Sequence, residues 1–204
     1  MITLTNHNLA NQGLGSDVSH YNEQHLTHLQ KIILGNDGTI TQLIENIVGE
    51  TLVVNKLFEG DLGPYQDHNT PVNEVLRCQR RIITLNGTSS GLPYLFADSL
   101  VFHDNLNVNF SRALLETKIP IGRAWEKYRV ETYKTMLAWG FEPAGSLALQ
   151  FNIDPQDLVL YRTYLVYSQG KRIFQITEKF PYAWFQDSQQ LTSNHELPSL
   201  ISGI

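Results

Sequence analysis

The sequence predicts a single α+β domain: an antiparallel sheet of about six strands flanked by helices. Three observations carry this. Runs rich in Val, Ile, Tyr, Phe and Thr follow one another at 51–58, 75–85, 93–102, in parts of 128–139, at 158–167 and at 171–180; side chains of this kind suit a pleated, half-buried surface. Helical periodicity is confined to a few short stretches. The connections are short, as at Ser168-Gln169-Gly170, and so brief a link joins antiparallel neighbours but cannot cross over between parallel ones. With 204 residues, 42% of them hydrophobic, the chain can bury one sizeable core.

In chain order, residues 1–20 are polar and rich in Asn, Gly and Ser and read as a tail ahead of a domain at 21–185. Residues 24–34 and 39–48 place apolar side chains at helical spacing, with Asp37 to Thr39 offering N-cap chemistry for the second helix. Residues 60–73 and 142–157 carry Gly, Pro, Asp and Asn and read as loops, and "LNGTSSGLP" between the second and third strands reads as a hairpin turn. A helix over about 107–117 runs into Ile-Pro-Ile-Gly, residues 119–122. Pro120 cannot continue a helix, and Gly122 permits a backbone shape or a close approach that a side chain would block. The turn is drier than a mere connection needs. Residues 186–204 read as a second loose tail.

Composition excludes several classes. A net charge of −5 and a pI near 5.8 argue against a nucleic-acid surface. No run of about 18 apolar residues exists to span a membrane. The first residues, "MITLTNHNLANQG", lack the basic and apolar regions of a secretory signal, so a cytoplasmic protein is expected. A lone Cys78 rules out an internal disulfide or a multi-cysteine zinc site; facing the core, it reads as a buried, inert thiol. His20, His25 and His28 have no carboxylate at fixed spacing and read as surface residues, so no metal is expected. Neither a P-loop nor a Gly-x-Ser-x-Gly elbow is present.

Strand alternation singles out two charges. In "LRCQRRIIT", Leu76, Cys78, Arg80, Ile82 and Thr84 share one face, and Arg77, Gln79 and Arg81 share the other, which reads as wet. In "RIFQITEKF", Glu178 shares a face with Phe174, Ile176 and Phe180. A charge on an apolar face needs a partner or a purpose. Arg80 and Glu178 could pair with each other, or with Asp98 and Arg162, which also sit among apolar neighbours. Alternatively they serve a closed pocket for a small organic acid, with Arg80 gripping a carboxylate in paired hydrogen bonds and Glu178 moving a proton.

These residues carry a resemblance. From about 36 to 182 the chain resembles the chorismate pyruvate-lyase family, which includes 4-hydroxybenzoate synthetases. "LLETKIPIGRAW" is similar to that family's Leu-Gly-x-Thr-Pro-Leu-Gly-Arg turn, "ITEKFPY" to its Thr-Glu-x-Phe segment, "RRIITL" to the strand that opens with its substrate-gripping Arg, and "NDGTITQLIE" to its Asp-Ser-Met-Thr segment. The longer stretches "RALLETKIPIGR" and "YRTYLVYSQGKRIFQITEKFP" look most like the branch found in photosynthetic bacteria and algal plastids.

The resemblance implies an antiparallel sheet with flanking helices and a cofactor-free, metal-free cleavage of chorismate to 4-hydroxybenzoate and pyruvate, a first step of quinone (plastoquinone-type) synthesis. By position it makes Arg80 the carboxylate-binding Arg, Glu178 the active-site acid, Ile121 the pocket residue of the turn, and Ile40 the residue matching a ligand-contacting Met. The best-known branch has an Arg where this chain has Asp98, and Arg162 is the candidate to replace it. Two other readings stay open. One is a non-catalytic sensor of small aromatic acids, since the same fold serves as the effector-binding domain of bacterial transcription regulators; only about 35 residues precede the first matching segment, so a DNA-binding domain ahead of it is not expected. The other is a lyase on another chorismate-like acid.

Overall fold

A computed structural model of the chain describes residues 24, 26–65, 76–116 and 120–186. Both expected tails, His20 and His25 lie outside the described residues. The elements run α1 (His28–Gly35), α2 (Ile40–Val48), β1 (Leu52–Tyr65), β2 (Leu76–Gly87), β3 (Pro93–Phe102), α3 (Val108–Glu116), α4 (Ile121–Lys127), β4 (Tyr133–Pro143), α5 (Ala148–Phe151), β5 (Leu158–Ser168) and β6 (Lys171–Pro181). The six strands form one sheet in the order β1-β2-β3-β6-β5-β4 with every pairing antiparallel. The expected α+β architecture is the one observed.

Each face of the sheet has its own cover. On one face α1 and α2 lay Ile33, Leu34, Ile40 and Ile44 over Ile83, Leu85, Leu95, Ala97, Leu160 and Phe180. On the same face α3 and α4 lay Phe110, Leu114, Ile121 and Trp125 over Val101, Phe174, Ile176 and Val166. Removing each such side chain from water is worth about 1.5–3 kcal/mol, so the helices are held by packing far more than by their own propensity. On the opposite face, Ala148 and Phe151 of α5 pack on Phe96, Val159 and Ile82 at one end, and Leu76, Cys78 and Phe102 form a small buried cluster.

Local chemistry fixes the helix ends. Thr27 and Gln30 form a capping box at α1: Gln30 N–H donates to Thr27 Oγ1 (3.2 Å) and Thr27 N–H donates to Gln30 Oε1 (3.1 Å). The Thr27 hydroxyl also donates to the Phe185 carbonyl (2.8 Å), tying the start of α1 to the segment after β6. Thr39 occupies the N-cap of α2 but makes no capping bond with its side chain; its hydroxyl donates instead to Glu126 of α4.

Two stretches differ from expectation. Pro120 is the N-cap of a further helix, α4, so Pro120, Ile121 and Gly122 open a helix where a turn at a helix end was expected, Ile119 lying outside the described residues. Proline's fixed φ suits a helix start as well as it forbids an interior. Strand β1 runs on to Tyr65 through residues expected to be loop, because slips in register between Lys56 and Phe58 and between Asp61 and Gly63 absorb the Gly and Asp. Gly63 takes φ 72° there, a value that a side chain would resist. The β2–β3 hairpin is closed as expected, with Gly87 N–H donating to the Leu92 carbonyl (2.9 Å). Cys78 is buried against Leu76 and Phe102, and burial pushes its thiol up to about 11.

Candidate active site

Between the two helical pairs and the sheet lies a small cavity of about 40 Å³. Its floor is the helix-covered face: Ile83 and Leu85 of β2, Leu95, Ala97 and Ser99 of β3, Ile176 and Glu178 of β6, Tyr164 of β5 and Lys134 of β4. Its walls are Gly38, Ile40 and Thr41 at the start of α2, and Pro120, Ile121, Gly122 and Trp125 of α4. Its mostly apolar lining with a few convergent polar groups is of the kind that suits a small organic ligand.

The walls meet closely. A Cβ built on Gly122 would lie 2.8 Å from Thr39 Cγ2, so the absence of a side chain lets α4 approach α2. Thr39–Glu126 and Arg123–Glu45 bonds clasp the two helices. Pro120, Ile121 and Gly122 thus form a pocket wall, which accounts for the dryness of the segment.

Glu178 stands at the floor, 3% exposed, with both carboxylate oxygens engaged. Arg162 Nε donates to Oε2 (2.6 Å) and the Tyr164 hydroxyl donates to Oε1 (2.9 Å). Cross-strand register places Arg162 directly opposite Glu178 on the β5–β6 ladder. Arg162 also donates through Nη1 to the carbonyls of Ile33, Leu34 (3.4 Å) and Asn36 (3.1 Å). These are carbonyls at the C-terminus of α1, the end of a helix that favours a cation. One guanidinium therefore orients the acid and pins α1. Burial, and then the Glu178 charge, push Tyr164 well above the ordinary phenol range, so it remains a donor.

The structure brings Glu178, Ile121 and Ile40 together and leaves Arg80 out. Arg80 lies on the opposite face, its side chain 44% exposed, paired to Asp98 through Nε (3.0 Å) and Nη2 (2.6 Å). The expectation that Arg80 faces the pocket is corrected here. It is Arg81 that points to the helix-covered face, 2% exposed, with Nε 3.7 Å from Glu59 Oε1. Arg81 sits directly across from the pocket residue Ser99 and two residues before the pocket residue Ile83. The inversion has a physical source. The even-numbered residues of β2 look like core because Leu76 and Cys78 pack in a small satellite cluster and Ile82 packs toward α5. Between them Arg80 meets solvent. Both ion pairs weighed from the sequence, Arg80 with Asp98 and Glu178 with Arg162, are present.

Lys134 was not singled out by sequence. Its ammonium donates to the Gly38 carbonyl (2.8 Å) and lies over the rings of Trp125 (5.5 Å) and Tyr164 (5.3 Å). Burial lowers it to about 8, a shift that the nearby Glu178 opposes. The one signal was a parity change in "KTMLAWGF": Lys134 and Met136 share a face with Trp139 and Phe141 only because a bulge between Met136 and Ala138 shifts the register.

Comparison with known proteins now bears on this geometry. The profile of a family described as "Chorismate pyruvate-lyase Rv2949c-like" matches residues 34–186. The chain belongs to that family. The matched span of this Rv2949c-like member includes every residue that lines the cavity. Among curated relatives, a protein named chorismate pyruvate-lyase from Mycobacterium tuberculosis is 27% identical over 164 residues, covering 78% of this chain and 82% of that one. A protein of the same name from Mycobacterium leprae is 28% identical over 163 residues, covering 78% and 76%. Among solved structures, PhnF from Mycobacterium smegmatis aligns with a TM-score of 0.53 at 13% identity over 75% of this chain and 67% of that one. Its effector domain aligns with a TM-score of 0.50 at 14% identity over 71% and 88%. At such identities these two likenesses concern the fold alone. Among the described residues no helix is long and apolar enough to cross a membrane, and no cluster of His, Cys, Asp or Glu is arranged to hold a metal.

Proposed function

We propose that this protein is a chorismate pyruvate-lyase, converting chorismate to 4-hydroxybenzoate and pyruvate. The observation that supports this most is Glu178: a buried acid, held by two donors, lining a small, mostly apolar cavity between the helices and the sheet. The reaction breaks the C4–H and C3–O bonds of the ring. The proton leaves C4, an electron pair passes to the ether oxygen, and the released enol takes up a proton to become pyruvate. The balance is redox-neutral and the ring becomes aromatic, so the site must orient the substrate, exclude water and manage one proton. No cofactor is required by that balance.

In this reading Glu178 handles the proton at the ring's hydroxyl and ether side, and Arg162 and Tyr164 are positioning residues that fix its two oxygens. Ile121 and Ile40 press on the ring from α4 and α2. Arg81, on the pocket's side of the sheet, takes the carboxylate-gripping role expected of Arg80. The likeness to the branch from photosynthetic organisms extends the proposal to a cytoplasmic enzyme supplying 4-hydroxybenzoate for quinone synthesis.

The test mixes the purified protein with chorismate and follows 4-hydroxybenzoate by chromatography and pyruvate by a coupled dehydrogenase. Equal formation of both, lost in Glu178→Gln while the variant stays folded, is the expected result. Binding of chorismate without either product would make the protein a sensor or binder. Unchanged turnover in Glu178→Gln would remove the acid from the mechanism.

A further inference from the structure

The cations in and around the cavity are not equivalent. Arg162 is matched by Glu178 at 2.6 Å, and Arg81 has Glu59 at 3.7 Å. Lys134 lines the cavity, yet its hydrogen bond goes to a neutral carbonyl, that of Gly38. An ammonium has three N–H donors. One is used at Gly38, and among the described residues no carboxylate forms an ion pair with it. The side chain is held in place by that bond and by the Trp125 and Tyr164 rings beneath it. A half-buried cation with no carboxylate in direct contact is costly to the empty protein, and burial pulls it down to about 8 against the opposing charges of Glu178 and Asp37. An anion arriving in the cavity would lift that cost.

The placement is specific. Lys134 reaches from β4 over Tyr164, the residue that donates to Glu178. A carboxylate bound near Glu178 would meet a like charge, and the ammonium on this side offsets it. Arg81 stands beyond Ser99 on β2, three strands from Tyr164 across β3 and β6. Of these two cations, only Lys134 is a lining residue of the cavity.

We propose that Lys134 binds the second carboxylate of the substrate, so that the pocket selects a ligand bearing two carboxylates over one bearing a single carboxylate. This rests on the lyase reading.

The test compares a dicarboxylate with a monocarboxylate in the same site. Chorismate KM from initial rates, and the inhibition constant of 4-hydroxybenzoate, are measured for the wild type, Lys134→Met and Lys134→Arg. Expected is a rise in chorismate KM of about tenfold or more in Lys134→Met, as for loss of one partner of a buried charge pair. The 4-hydroxybenzoate constant should stay within about threefold, and Lys134→Arg should keep most of the chorismate affinity. Equal weakening of both ligands would make Lys134 a structural residue, and no weakening of chorismate would remove it from the site; either overturns the proposal. If the wild type makes no product, the lyase reading fails by itself. The same comparison then runs by calorimetry with the two ligands, and a dicarboxylate preference lost in Lys134→Met still upholds the role of Lys134.

Discussion

Gly122→Ala isolates the reason for a glycine in the pocket wall. Gly122 is the second residue of α4, and φ there is not in the left-handed region, so conformational freedom is not what it supplies. In propensity alone, alanine in a helix gains up to about 1 kcal/mol over glycine, and less in a first turn. Against this, the new Cβ would lie 2.8 Å from Thr39 Cγ2 and 3.6 Å from Thr39 Cβ. Thr39 cannot swing aside cheaply, because it is 8% exposed and holds Glu126 through its hydroxyl. Overpacking of this kind costs about 1–3 kcal/mol. The clash wins, and Gly122→Ala should be less stable than wild type by about 1–2 kcal/mol. Thr39→Ser removes the offending methyl while leaving the hydroxyl for Glu126. In that background Gly122→Ala should be neutral or stabilising, a coupling of at least about 1 kcal/mol. Urea denaturation of the wild type, two single variants and the double variant measures all four corners. A Gly122→Ala protein as stable as wild type, or a coupling near zero, would refute the close-approach account of this glycine.

Other substitutions separate the faces of the sheet and the parts of the site. Arg80→Ala should leave turnover near wild type and cost under about 1 kcal/mol, as for a solvent-screened pair, whereas Arg81→Ala should abolish most turnover; steady-state kinetics decides, and the reverse outcome would restore Arg80 to the site. Arg162→Met strands Glu178 and the α1 carbonyls and should cost about 3–5 kcal/mol by denaturation, with Arg162→Met/Glu178→Gln recovering a large part; a single-variant loss under about 1 kcal/mol would show the pair to be dispensable. Lys134 gives a pH signature. Its folded value near 8 lies below the ordinary 10.5, with Glu178 of β6, Arg162 of β5 and Asp37 before α2 as the charges facing it. Below pH 8 both folded and unfolded chains hold the proton and the burial penalty is fully present. Between 8 and 10.5 the folded chain releases the proton first, so the penalty is lost and stability rises. Lys134→Met should abolish that rise and stabilise the empty protein at pH 7 by at most about 3 kcal/mol; parallel stability–pH curves for the two proteins would contradict the burial argument.

Legibility in the sequence followed the cleanliness of alternation. In β6, Phe174, Ile176 and Phe180 are all fully covered, so the parity of Glu178 and its placement on the buried face were readable from residues alone. In β2 both parities carry apolar residues, since Ile82 has α5 to pack on and Ile83 has α2. The adjacent arginines could then be told apart only by knowing where each helix lies. Lys134 was hidden by the bulge in β4, which no side-chain pattern over three residues can announce. Pro120 was read as a terminator because one residue type both stops and starts helices. The six strands survived these ambiguities, because they need only composition and short connections.

The strand order has a consequence for how the site comes into being. β1 to β3 form one consecutive run and β4 to β6 another, and among the described residues the two runs pair strand to strand at the β3–β6 seam alone. Glu178 lies on that seam, opposite Ala97 on one side and Arg162 on the other. β6 is the last strand to be synthesised, and it must seat itself between β3 and β5 before the acid, its guanidinium and the cavity floor exist together. Pairing across such sequence distance is slow and late in a folding reaction. A nascent chain halted before Lys171 would hold most of the cavity's lining and none of its acid, leaving the open edge of β3 as the surface most in need of protection until translation ends.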